Sequence, residues 1–247
     1  MIKFTEQFFT INHGNTNTSL MLHDQDHSRV ITPEEYFSND YLKTIPGVVS
    51  SVGSKEVFFP QNIQDINLYH QDNYFLDMKV HYAQSLGVDR LINAYYIYQH
   101  ELCPAEKILH IDAGTFTTMD LISLNGFEGG YIFPGEETYL KSFSNGADLP
   151  VFKTTISDVD IRIPRNTEQA IKQSYTIFMK GALIEVLSAY APQSIIVTGG
   201  GSINIVFLLS LLNNSPENKF VKYKSMPKLT HKALKFFYHK IQKDNLQ

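Results

Sequence analysis

Apolar residues in this chain fall into short alternating or continuous runs that predict strands, and into longer stretches at helical spacing that predict helices. Segments 7–11 and 17–23 read as two strands of a hairpin around a polar turn, with Asp24, Gln25 and Asp26 as a polar tip. Gly47-Val48-Val49 predicts a buried strand ending at Ser50-Ser51, and Val57-Phe58-Phe59 is a further short strand candidate. From Arg90 to about Leu102 the spacing of Leu91, Ala94, Tyr95, Tyr98 and Leu102 predicts a helix, which puts Asp89 and Arg90 at its N-terminus, where a helix favours an anion.

The pattern then restarts. Strands are predicted at 108–112 and 117–123, a hairpin turn at Asn125-Gly126, and a strand running toward Ile132. A long helix follows from Thr167 to about Tyr190, then a strand, Ser194–Thr198, entering Gly199-Gly200-Gly201, then a helix at 203–212. The basic stretch from Lys219 to Lys243 carries an apolar stripe (Leu229, Ala233, Leu234, Phe236, Phe237, Ile241) and reads as a solvated helix face. Pro104-Ala105-Glu106-Lys107 is the most plausible seam, so two α/β halves are expected, residues 1–104 and 105–247.

Composition narrows the classes without choosing one. A chain of 247 residues with 43% hydrophobic content can bury one large core or two modest ones, and the spacing favours two. The formal charge of -4 offers no basic field for nucleic acid or an anionic membrane. No apolar run reaches the roughly 20 residues needed to span a bilayer, and the N-terminus has no signal-peptide core. The single cysteine, Cys103, precludes an internal disulfide framework and reads as an ordinary thiol; a cytoplasmic location is expected.

Each half carries one turn with the makings of a phosphate site: Ile11-Asn12-His13-Gly14-Asn15-Thr16 and Ile111-Asp112-Ala113-Gly114-Thr115. In both, a strand leads into a polar residue, a glycine and a threonine, so the backbone can turn tightly and present N–H and hydroxyl donors while Asp112 reaches toward a cation. A hydroxyl bonded to its own turn is the plainer reading of Thr115 and Thr117. Neither turn has the Gly-x-x-x-x-Gly-Lys-Ser/Thr or Gly-x-Gly-x-x-Gly spacing of the common phosphate loops. His13 reads as a pleat-facing side chain, and Asp120 as facing solvent or capping the hairpin. No histidine spacing suggests a metal site.

The duplicated turn resembles that of the acetate and sugar kinase, heat-shock chaperone and actin superfamily, in which two ribonuclease-H-like domains close on ATP. Gly87-Val88-Asp89-Arg90 and Gly129-Gly130-Tyr131-Ile132-Phe133-Pro134-Gly135 are similar to motifs of type III pantothenate kinases. Ser50-Ser51-Val52, Leu149-Pro150, Asn166-Thr167 with Ala170, Thr198-Gly199-Gly200, and Pro227 with Leu229-Thr230 follow that family's order. The resemblance spans nearly the whole chain.

The resemblance implies an actin-like ATPase fold of mixed sheets flanked by helices, and ATP-dependent phosphorylation of pantothenate to 4′-phosphopantothenate, the first step of coenzyme A synthesis. It implies Asp89 as catalytic base, against the plainer reading of a carboxylate capping the helix. It gives acceptor contacts to Gly87, Val88, Arg90 and Thr167, although Asn166-Thr167 is also an ordinary helix cap and Arg90 an ordinary salt-bridge residue. Asn12, Gly14, Asn15, Thr16, Thr115, Gly199 and Gly200 would face ATP, with Mg2+ on the triphosphate. Asp112 would hold a monovalent cation, K+ or NH4+, and the chain would act as a homodimer.

Three positions depart from the family pattern. Asn12 stands where the family has Asp, Val80 where members often carry a substrate-facing Tyr, and Ser174 where a glycine follows the Asn-Thr motif. Two alternatives follow: a catalytically impaired homologue with a nucleotide-binding or regulatory role, and a related kinase or phosphatase acting on another small molecule.

Overall fold

The computed structural model describes residues 7–25, 27–52, 58–146, 149, 163–214 and 222–244. The chain forms two compact units: residues 1–101 with 125–128 and 228–247, and residues 102–124 with 129–227.

In the first unit, β1 (Phe8–His13), β2 (Thr18–His23) and β3 (Ser28–Ile31) form an antiparallel meander. After α1 (Pro33–Ser38) and α2 (Asp40–Thr44), β4 (Gly47–Ser51) pairs parallel with β1, and β5 (Ile63–Asp65) parallel with β4, giving the order β3-β2-β1-β4-β5. One face of this sheet buries Phe9, Ile11, Leu20, Leu22 and Val49 against Tyr36 of α1 and Leu42 of α2. A 3-10 turn (Ile66–Tyr69) and a small antiparallel sheet, β6 (His70–Gln71), β7 (Tyr74–Phe75) and β8 (Met78–Lys79), lead to α3 (Val88–His100).

The second unit repeats the plan. β9 (Lys107–Ala113), β10 (Phe116–Ser123) and β11 (Gly126–Pro134) run consecutively, with α4 (Glu136–Gly146) and α5 (Thr167–Tyr190) after them. β12 (Ser194–Thr198) pairs parallel with β9, and, beyond α6 (Ser202–Asn213), β13 (Lys222–Ser225) pairs parallel with β12. The order β11-β10-β9-β12-β13 is that of the first sheet. Its core joins Leu109, Ile111 and Met119 to Met179 and Leu183 of α5 and Ile205 and Leu209 of α6.

The last helix, α7 (Leu229–Asp244), packs on β1, β4 and α3 and groups with the first unit, although it follows the second in sequence. A cut at 104/105 therefore does not describe the grouping, because the apolar stripe of α7 is buried against the N-terminal sheet: Leu229, Ala233, Leu234, Phe237 and Ile241 are inaccessible to solvent or nearly so. A buried polar chain fastens α7 there. Ser28 Oγ meets His23 Nδ1 at 2.7 Å, His23 Nε2 meets Thr10 Oγ1 at 2.9 Å, Thr10 Oγ1 meets His231 Nδ1 at 2.8 Å, and His231 Nε2 meets Ser19 Oγ at 2.9 Å.

Other differences from the sequence reading are local. Phe58 and Phe59 lie outside any strand, and Val57 is outside the described residues, as are Asp26, Pro150 and residues 219–221. α3 begins two residues earlier than the periodicity suggests, because Gly87, in extended conformation, is its cap. Asp120 is fully buried rather than facing solvent, since its strand lies inside the sheet and His110 stands opposite it at 4.0 Å.

Candidate functional site

In the first unit the carboxyl ends of parallel strands β1 and β4 meet the start of α3, the place where open α/β sheets hold ligands. The Val52 N–H donates to His13 O at 3.0 Å, joining the two strand ends, and the Gly14 N–H closes the β1–β2 turn on Asn17 O at 3.0 Å. Asn15 and Thr16 stand exposed at the tip of that turn. His13 is buried and pairs through Nδ1 with Thr18 Oγ1 at 2.7 Å, so it serves the hairpin. Asn12 keeps a buried Oδ1 that has no hydrogen-bond partner among the described residues.

Asp89 lies in the first turn of α3 and is half-buried. Burial raises its carboxyl above the ordinary carboxylate range, opposed by the Arg90 N–H, which donates to Oδ1 at 2.8 Å, and by the Arg90 charge. Gly87 makes this seat possible: a Cβ there would come within 2.6 Å of Asp89 Oδ1. Gly87 therefore yields space to the carboxylate. Val88 is buried.

Arg90 is also buried, its guanidinium 5.3 Å from the Tyr82 ring and 5.6 Å from the Phe127 ring. It is held by aromatic faces rather than at the surface. Val80 is a core residue that bridges to Phe127, so a larger ring could not occupy its place without repacking.

In the second unit the same strand ends carry the second turn. The Gly114 N–H donates to Phe116 O at 3.1 Å, and Thr115 O accepts from the Gly135 N–H at 3.0 Å and from the Thr138 hydroxyl at 2.7 Å. Gly114 and Thr115 are exposed, and Asp112 stands half-buried at the end of β9, opposite Thr118 and Thr198. Gly199 closes over it with φ of +89°, and a Cβ there would lie 2.5 Å from both Ala113 O and Asp112 Oδ1. The Gly201 N–H donates to Ala113 O at 2.8 Å and caps α6, while Gly200 faces open space, leaving its backbone approachable. Thr167 is the exposed first residue of α5, capped by Asn166, whose Oδ1 accepts from the Gln169 N–H at 2.9 Å. Ser174 spends its hydroxyl within the unit, donating to Ile171 O at 2.7 Å and accepting from Tyr139.

Sequence reasoning gave no role to Tyr82 and Phe127, which hold Arg90, nor to Asn93, which is buried one turn beyond Asp89. Nothing in the local pattern marks Tyr82 or Phe127. Asn93 alone carried a signal, as a polar residue inside an apolar helix face.

Two sheets of the same order, each ending in a glycine turn beneath exposed backbone, define a two-domain protein of the actin-like ATPase and sugar kinase fold. Solved structures agree at the level of fold. A conserved protein assigned to the Baf family of transcriptional activators from Campylobacter jejuni matches with a TM-score of 0.58 and 18% identity, over 95% of this chain and 99% of that one. A 2-dehydro-3-deoxygalactonokinase-like protein from Sinorhizobium meliloti matches with a TM-score of 0.57 and 10% identity, over 95% and 99%. The type III pantothenate kinase profile matches residues 48–189, more than half of the chain, and the chain belongs to that family of phosphotransferases. Type III pantothenate kinases from Hahella chejuensis and Sulfurimonas denitrificans are 33% and 28% identical, over 62% and 66% of this chain and 66% and 73% of their own lengths. The aligned stretch thus spans about two thirds of these relatives.

The residues present fit what such a fold holds. The unpaired Asn12 Oδ1 suits a metal-bound water, and the carboxylate of Asp112 under Gly199 suits a hard monovalent cation. Among the described residues no group of three or more His, Cys, Asp or Glu could hold a metal ion. No helix among them is long and apolar enough to cross a membrane.

Proposed function

We propose that this chain transfers the γ-phosphoryl group of ATP to the primary hydroxyl of pantothenate, giving 4′-phosphopantothenate. The observation that carries the reading is the seat of Asp89: a carboxylate of raised proton affinity at a helix start, in a chain of a pantothenate kinase family. Asp89 accepts the hydroxyl proton as the oxygen attacks phosphorus. Arg90, held against the Tyr82 and Phe127 rings, pairs with the acceptor's carboxylate, and Gly87, Val88 and Thr167 are the further acceptor contacts of this reading. The turns around Asn12–Thr16 and Asp112–Thr115, with Gly199 and Gly200, present N–H groups and hydroxyls to the nucleotide. A bound cation at Asp112 and Mg2+ on the triphosphate would offset developing charge.

We further propose a homodimer through the second unit. Ile177 and Ile184 of α5 are 71% and 39% exposed, and Tyr131 and Ile132 of β11, in the same unit, are exposed as well, apolar side chains suited to a self-complementary contact. Sedimentation at micromolar concentration should give about twice the chain mass; a monomer removes this proposal.

The kinase reading is tested by ADP release from purified protein with Mg2+, with and without pantothenate and K+, beside Asp89→Asn. Turnover should need pantothenate and fall about 100-fold or more in the variant. Asn12 favours the second reading, an impaired homologue that binds nucleotide without turning it over. Nucleotide binding without any turnover would establish that reading and remove the first. Turnover with another alcohol alone would indicate a related small-molecule kinase.

A further inference from the structure

Five polar side chains of the first unit carry buried atoms without hydrogen-bond partners among the described residues: Asn12 Oδ1, Tyr36 Oη, Ser50 Oγ, His70 Nε2, and Asn93 Oδ1 and Nδ2. Ser50 is 0% and Asn93 1% exposed, so water does not satisfy them. Most buried polar groups in folded proteins are paired, and each exception calls for a cause. Three of them, Asn12, Ser50 and Asn93, fall on β1, β4 and the helix that packs on β4, away from Tyr36, which packs on the opposite sheet face. Asn12 and Ser50 are direct partners in the parallel β1–β4 ladder and so share one sheet face. That face is the one opposite Phe9, Ile11 and Val49, on the side where Thr10 bonds His231 of α7. α3 packs on β4, and Asn93 lies four residues beyond Asp89, on the same helix face.

We propose that Asn93, with Ser50 and Asn12, forms an uncharged hydrogen-bonding floor that receives a neutral hydroxyl of the acceptor, next to the hydroxyl whose proton Asp89 takes. This rests on the kinase reading above. The amide supplies a donor and an acceptor, the serine hydroxyl supplies either, and Asn12 Oδ1 accepts. No charge is present on the floor, so it matches a polyol better than a carboxylate or phosphate, which is recognised by cations such as Arg90. A pocket built to bond a substrate hydroxyl rejects an analogue lacking it, because its own polar groups then stay unpaired. Asn93 thereby selects acceptors bearing a second hydroxyl over simple alcohols.

Asn93→Leu separates this role from a structural one. Leucine replaces the unpaired amide with apolar atoms of similar volume, so the unliganded variant should melt within about a degree of the wild type or above it. Its KM for pantothenate should rise about 10-fold or more. Its preference for pantothenate over the analogue lacking the secondary hydroxyl should fall toward one. The floor is overturned if the variant melts several degrees lower, or if KM and that preference are unchanged. Should the wild type neither phosphorylate pantothenate nor gain thermal stability from it, the pantothenate reading fails and the floor fails with it; a wild type that does both, beside an Asn93→Leu variant with unchanged KM and preference, removes the floor alone.

Discussion

Asp89 and Gly87 act as a pair, and each makes a distinct prediction. Because the Asp89 carboxyl is raised by burial, turnover should fall as pH drops through a midpoint above the usual carboxylate value of about 4, and Asp89→Asn should abolish that acid limb. A kcat profile against pH checks both. Gly87→Ala places a methyl group against Asp89 Oδ1 while leaving an ordinary φ of -61°, so kcat should fall at least several-fold with little change in melting temperature. Gly199→Ala differs in kind. Its φ of +89° and the backbone oxygen of Ala113 at 2.5 Å leave no room, so it should lower stability by about 1–3 kcal/mol, read by denaturant unfolding. Asn12→Asp restores the carboxylate that the resemblance expects at the first turn. It should lower the Mg2+ concentration for half-maximal turnover, measured by titration with the metal at fixed ATP.

At the level of elements, α7 shows how far a local reading reaches. The stripe Leu229, Ala233, Leu234, Phe236, Phe237 and Ile241 was legible from its spacing; all are buried except Phe236, which is half-buried. What they are buried against was not, because spacing within a helix carries no address. The address is written in tertiary hydrogen bonds, His231 to Thr10 and Ser19, across more than 200 positions. Burial lowers the pKa of both His23 and His231 to about 4, from 6.5. A group whose folded pKa is depressed stabilises the fold above its unfolded value and loses that contribution as protons bind the unfolded chain more tightly. Stability should thus be full above pH 6.5 and decline between there and about 4, as the unfolded chain takes up protons that the buried histidines do not. Urea unfolding across that range tests it, and Thr10→Val, which breaks the chain at its centre, should cost about 1–3 kcal/mol at neutral pH. Helix α3 was legible for the same reason as α7, whereas short elements such as α2 and β6–β8 lack the length for any period to emerge.

For the whole molecule, the grouping of α7 with the first sheet predicts that removing residues 228–247 exposes the α3 and β1 faces it covers. The truncated chain should lose cooperative melting of its N-terminal unit, observable by calorimetry as loss of one transition, while the unit from β9 to β13 keeps its own. By itself, the sequence determined the two halves, the two glycine turns and the helix carrying Asp89, because strand alternation, helical spacing and the demands of a tight turn are local and repeat along the chain. The motif strings determined the family, since their order survives without any knowledge of packing. Only the tertiary structure decided that the C-terminal helix completes the N-terminal sheet, that Asp120 is buried against His110, that Arg90 lies against the Tyr82 and Phe127 rings, and that Asn12 Oδ1, Ser50 Oγ and the Asn93 amide have no hydrogen-bond partner among the described residues. Those facts depend on which distant residues share a face, and burial and pairing are properties of that shared face rather than of any segment within it.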